Sequence, residues 1–223
     1  MPVATAPDRP PTVLPVGLFV GSFPGDLDDD AEPRHEIRRG TEIHEVSDDE
    51  FLAWVAAHGT DETPAAGPPS LDLVERELRA QGLAAPAAVV DRLLDRGLLT
   101  AFPSDDTAAA AFARAHRVVP TLLGLGNSPE EPELYSIGLI GAAVVQVSRP
   151  VFELWSWAGL EADLWSACES FAAQEREAGG TDPELCDPGR VLAGFLTALA
   201  GLLAVQAVYL DVVRRSAVLE GLR

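Results

Sequence analysis

The feature that most constrains this chain is a repetition. "EVSDDEFLAWVAAHG" (Glu45 to Gly59) returns about a hundred residues on as "QVSRPVFELWSWAGL" (Gln146 to Leu160). Setting Gly40 on Gly141 brings Ile43 onto Val144, Val46 onto Val147, Ser47 onto Ser148, Phe51 onto Phe152 and Trp54 onto Trp155. Upstream, "PVGLFVGSFP" (Pro15 to Pro24) meets "PTLLGLGNSP" (Pro120 to Pro129), with Gly21 on Gly126. Downstream, the segments starting at Pro86 and Pro188 bring Val89, Val90, Leu93 and Leu94 onto Val191, Leu192, Phe195 and Leu196. The order of landmarks is kept throughout, which points to one unit present twice.

Each unit reads as an apolar strand followed by a hairpin turning at Gly40 or Gly141. A helix follows. In the first unit Ser47 and Glu50 have the spacing of a capping box, and Ser148 repeats the cap with Pro150 in the first turn. Phe51, Trp54 and Val55 stand at i, i+3 and i+4 as a buried stripe. Leu71, Val74 and Leu78 mark a second helix, as does Leu164 to Phe171. A third helix starts at Pro86 and ends at Gly97 before "LLTAF". The expected fold class is α+β. The expected plan is a tandem repeat of winged-helix-like domains, each with a three-stranded antiparallel sheet and three helices. The units span 10–103 and 118–215, joined by a helix in 104–117.

Composition bounds the function. Of 223 residues, 47% are hydrophobic, enough for a packed core. Sixteen arginines, no lysine and 35 acidic residues give a net charge of −19. Such a field repels phosphate backbones and anionic headgroups, so neither nucleic acid nor membrane is an expected partner. The third helix of the first unit sets Asp91 and Asp95 beside Arg92 and Arg96, and its counterpart is uncharged after Arg190. Neither can neutralise several phosphates. Cys168 and Cys186 form neither a disulfide framework nor a zinc site. The first residues show no secretory signal, and a cytoplasmic location is expected. Val191 to Leu210 runs twenty residues without charge, the length of a membrane span, yet it falls where the repeat needs a core helix.

"VSDDEFLAWVAAHGT … VVDRLLDRGLL" resembles PqqD and the related recognition domains of ribosomal-peptide modification systems, such as those of lanthipeptide biosynthesis. Ser47, Trp54, Gly59, Val89, Leu93, Gly97 and Leu98 occupy that family's places. The resemblance covers most of the first unit and, more loosely, the second. It implies a non-catalytic subunit that binds a precursor's leader peptide or a modification enzyme. The leader would add as a strand beside Thr41–Val46 and pack on the third helix. The residues implied are Ile43, Val46, Val90, Leu93 and Leu94, with Arg92 and Arg96 as a basic rim. For Val90 and Leu93 a place in the domain's own core is an equal reading.

Two other functions stay open. One is an acidic tandem winged-helix adaptor, resembling accessory subunits of chromosome-condensing complexes. The other is an enzyme of unrecognised type. No zinc-peptidase pair follows His35 or His44, and no Gly-x-Ser-x-Gly elbow or phosphate-binding loop occurs. Asp26–Asp30 lacks calcium-loop spacing. No cofactor and no metal are expected. The second hairpin, "LYSIGLIGAAVVQV", is apolar on both faces and so needs cover on both, from its neighbour unit or a partner subunit, a homodimer included.

Overall fold

The structure, a computed structural model, describes residues 11–23, 34–59, 69–103 and 105–213. The acidic run Asp26–Asp30 and the chain's first ten residues lie outside them. The fold is α+β with small antiparallel sheets, and its element order runs twice. The first pass is β1 (Thr12–Pro15), β2 (Leu18–Phe23), β3 (Arg34–Arg39), β4 (Glu42–Val46), α1 (Asp48–Ala56), α2 (Leu71–Ala80), α3 (Pro86–Asp95) and β5 (Leu99–Phe102). After α4 (Asp106–Ala115) come β6 (His116–Pro120), β7 (Leu123–Gly126), β8 (Leu134–Leu139) and β9 (Ala142–Ser148). Then follow α5 (Arg149–Trp157), α6 (Leu164–Glu177), the short α7 (Pro183–Cys186), α8 (Pro188–Ala204) and β10 (Val208–Val212).

Each pass builds a three-stranded meander, β2-β3-β4 or β7-β8-β9, and closes with a ribbon of its first and last strands, β1-β5 or β6-β10. The meanders share an irregularity. Val20 bulges between Phe19 and Gly21, and Leu125 bulges between Gly124 and Gly126. Gly21 and Gly126 both hold positive φ, which explains why glycine recurs at matched positions. The second meander adds a bulge at Ile137/Gly138. This bulge absorbs one residue: β8 lies 100 residues after β3 by register, while β9 lies 101 after β4.

The helices pack through matched aromatics. Phe51 stacks between His35 and Trp54, as Phe152 lies between Tyr135 and Trp155. The Trp54 Nε1–H donates to the Val16 carbonyl (3.2 Å), and the Trp155 Nε1–H to the Ala207 carbonyl (2.9 Å). Both acceptors lie at the corner where the ribbon strands meet, since Val16 N–H donates to Leu98 and Thr121 N–H to Ala207. One hydrophobic cluster gathers Val13, Trp54, Val74, Leu78, Val90 and Leu93; a second gathers Trp155, Leu164, Phe171, Phe195, Leu199 and Leu202. Leu14, Phe102 and α4's Phe112 and Ala113 join the second cluster, so α4 is packed and β6 begins directly after it.

Several expectations change. The uncharged stretch Val191–Leu210 is not one helix: α8 ends at Ala204, Gln206 turns the chain at φ 54°, and β10 follows. Among the described residues no helix is long and apolar enough to cross a membrane. The two third helices align by their ends, not their starts. Leu98 N–H donates to the Leu93 carbonyl and Gly97 N–H to Leu94; Ala207 N–H donates to Leu202 and Gln206 N–H to Leu203. Each is a Schellman close. Leu93 therefore corresponds to Leu202, and α8 gains its extra two turns at its N-terminal end. Val55 is exposed, and α1 buries Glu50, Ala53 and Trp54 instead. Ser148 sits at the N-cap of α5 without a side-chain cap hydrogen bond; Pro150 at N2 has no N–H to give, and Val151 at N3 cannot return the reciprocal bond that Glu50 makes.

The two closes predict opposite substitutions. Gly97 holds φ 65°, and a Cβ there would also press on the Arg39 guanidinium. Gly97→Ala should lower unfolding free energy by about 1–2 kcal/mol, while Gln206→Gly should leave it unchanged or raise it. Denaturant titration of both variants checks this, and a neutral Gly97→Ala would contradict the assignment.

Candidate functional site

The face named by the sequence lies where β4 meets α3. β4 pairs only with β3, so its outer edge has no strand neighbour among the described residues. Glu42, His44 and Glu45 make it largely polar, and Ile43 stands 50% exposed on it. Val46 is buried, and Val90 and Leu93 are fully buried in the first cluster, with Leu94 packed half-buried against it. Ile43 and the two arginines are thus the expected residues that reach solvent.

The arginines are not free. Glu50 is buried, and its carboxylate takes Arg92 Nε at 3.3 Å and Arg96 Nη1 at 2.9 Å. The same carboxylate accepts the Ser47 N–H, while Ser47 Oγ accepts the Glu50 N–H. A capping box and a two-arginine clamp therefore share one side chain, joining α1 to α3. Burial of a carboxylate is tolerated only with such partners. Arg96 Nη2 reaches further and donates to the Glu45 carbonyl at 2.6 Å, capping one backbone acceptor on the β4 edge. Sequence reasoning read Glu50 only as a cap. The signal for the clamp was the four-residue spacing of Arg92 and Arg96, which puts both on one face of α3.

Beside the clamp, Arg39 Nε and His44 Nε2 are buried without a hydrogen-bond partner among the described residues. Burial pulls His44 below the usual histidine range, and Arg96 adds to the effect. At the other end of the meander, Ser22 O–H donates to His35 Nδ1 (2.7 Å) and His35 Nε2–H donates to Asp48 (3.0 Å). This is the order of a nucleophile–base–acid relay, but Ser22 and Asp48 lie open to solvent. Such relays act in enclosed sites with water excluded. What the contacts do is tie β2, β3 and the first turn of α1 together, with the imidazole flat on Phe51.

His35 and His44 sit on adjacent strands; His58 and His116 follow α1 and α4. Among the described residues no three His, Cys, Asp or Glu side chains gather to hold a metal. Cys168 and Cys186 are free, and burial pushes the Cys168 thiol up to about 12, far from a reactive thiolate.

Comparison with protein-family models, with curated proteins and with solved structures finds no match.

His58 gives the electrostatics a measurable sign. It donates Nδ1–H to the Trp54 carbonyl (3.0 Å), stands edge-on to the indole, and is pulled by burial down to about 4. The unfolded chain takes up this proton near pH 6.5, whereas the folded chain resists until about pH 4. Stability should therefore fall as pH drops from 6.5 to 4, by about 3 kcal/mol from this group. Thermal melts across that range should flatten in His58→Gln; an unchanged slope would contradict the assignment.

Proposed function

We propose that this chain is a tandem winged-helix-type protein whose first unit recognises an extended peptide. In this reading it is a non-catalytic, cytoplasmic recognition or partner subunit of a ribosomal-peptide modification system. The observation that carries the reading is the unpaired outer edge of β4 beside α3. An added strand gains backbone hydrogen bonds from such an edge, and alternate side chains find apolar support. Ile43 supplies apolar contact at the edge, and Arg92 keeps half its side chain in solvent, where an acidic leader residue meets it. A three-stranded meander followed by helices, in that order in both passes, supports the resemblance to PqqD-like domains.

A second reading, the structural adaptor, is favoured by one observation. Arg96 already occupies the Glu45 carbonyl, so an incoming strand must displace it or pair short of it.

Fluorescence polarisation with a labelled synthetic leader, taken from a precursor gene adjacent to this one, tests the proposal. Binding in the micromolar range is expected, weakened at least about tenfold by Arg92→Glu with Ile43→Asp. Ile43 is on the surface, but Arg92 also balances the buried Glu50 carboxylate, so Ile43→Asp is measured alone as well and circular dichroism must show each variant folded before its binding counts. Leu94→Glu abolishes binding as well, but only a folded sample counts. Absence of binding, or equal binding by the variants, overturns the peptide reading and leaves the adaptor.

A further inference from the structure

The two meanders differ in one respect that their common topology makes visible. β2-β3-β4 carries Arg34, Glu36, Arg38, Arg39, Glu42 and Glu45. β7-β8-β9 carries no charged residue on any strand. Its outer edge, β9, pairs only with β8. The device that guards β4 is missing here. By the matched helix closes Arg96 corresponds to Val205 and Arg92 to Gly201, and by the matched first helices Glu50 corresponds to Val151. No guanidinium from α8 therefore caps the β9 backbone in the way Arg96 caps Glu45. Exposed edge strands are normally blunted by charge or cover, because they template pairing with another chain.

The surface around that edge is apolar as well. On the β8-β9 hairpin itself Leu139 and Val144 are well exposed, and Ile140 at the tip is 88% exposed. Three exposed aliphatic side chains at one hairpin end, beside an unpaired edge, exceed the scattered exposure normal for a surface. A chain of net charge −19 repels its own kind everywhere else. Two copies approach most easily along a strand free of charge, and β9 is such a strand, with Glu131 the carboxylate nearest it, accepting from the Gln146 side chain at 3.1 Å.

We infer that the β9 edge pairs with the β9 edge of a second copy. Antiparallel pairing of like strands obeys a twofold axis, so both copies use the same patch and the assembly closes at two. The product is a continuous six-stranded sheet ordered β7-β8-β9-β9-β8-β7. With the axis at Val145, the middle of β9, Val144 of each copy faces Gln146 of the other. By that register each Ile140 at the hairpin tip falls opposite Pro150, at the start of the other copy's α5. The inference stands apart from the peptide reading, since it uses the other unit.

Sedimentation velocity on the full chain at about 10 µM and about 0.15 M salt tests it. The wild type should sediment at twice its mass of 23.6 kDa. Val144→Lys with Gln146→Lys sets like charges directly opposite across the axis and should return the protein to a monomer. Both positions are exposed, so circular dichroism should stay unchanged. Val55→Lys, an equally exposed change on α1, should leave the dimer intact. A monomeric wild type overturns the inference. So does a double variant that remains dimeric, because the contact then lies elsewhere.

Discussion

The carboxylate of Asp211 ties the last strand of the fold to its first hairpin. It is 1% exposed. It accepts the N–H of Gly40 at 2.6 Å and of Val212 at 2.9 Å, and Arg38 stands 3.7 Å away. Arg38 also donates to the Tyr209 hydroxyl (2.8 Å) and the Gly40 carbonyl (3.0 Å), and the Gly17 N–H donates to Leu210 (2.7 Å). A buried carboxylate is costly unless its lone pairs are used, so this contact fixes which surface of β2-β3-β4 faces the β6-β10 ribbon. The arrangement is head to tail: the meander of the first pass meets the ribbon of the second. At the matched turn of the second meander a Cβ on Gly141 would meet nothing within 4 Å, whereas one on Gly40 would touch Val212. That asymmetry, more than any local propensity, separates a charged, internally engaged sheet from an uncharged, open one.

Within each pass a different element sets the geometry. An indole N–H reaches the corner where the first and last strands meet, and a phenyl ring behind it packs on the meander. These are long-range contacts made by short-range spacing, since Phe and Trp three residues apart share one face of a helix. Glu50 adds a polar counterpart in the first pass only. Its clamp on Arg92 and Arg96 rigidifies α1 against α3 and reaches the β4 edge. The second pass fills the same place with Val151, Gly201 and Val205 and lengthens α8 instead.

The repeat was legible in the sequence because its landmarks are chemically particular. Gly21 and Gly126 mark bulges, Gly40 and Gly141 mark turns, and Ser47 with Glu50 marks a cap. The ribbons were not legible: β1 meets β5 and β6 meets β10 across most of a unit, and no local pattern announces such pairing. The register of the third helices was misread because both begin with proline. The helix ends carry the alignment, and there Gln206 stands in the left-handed conformation where Gly97 stood in the first pass. Of the expected peptide-facing residues, Val46, Val90 and Leu93 went to the core. Apolar residues on a helix facing a sheet serve the fold first, and sequence alone does not separate that role from a groove wall. The pairing of Arg92 and Arg96 with Glu50 was hidden because it joins helices some forty residues apart in the chain.

Hydrogen exchange at the four tryptophan indoles, followed by NMR, tests the central claim that one aromatic corner is built twice. The account predicts that the Trp54 and Trp155 indole protons both persist, since each is buried and bonded to a corner carbonyl. The Trp157 proton, on a side chain 64% exposed, should be gone long before either. Exchange of Trp54 or Trp155 as fast as that of Trp157 would contradict the account.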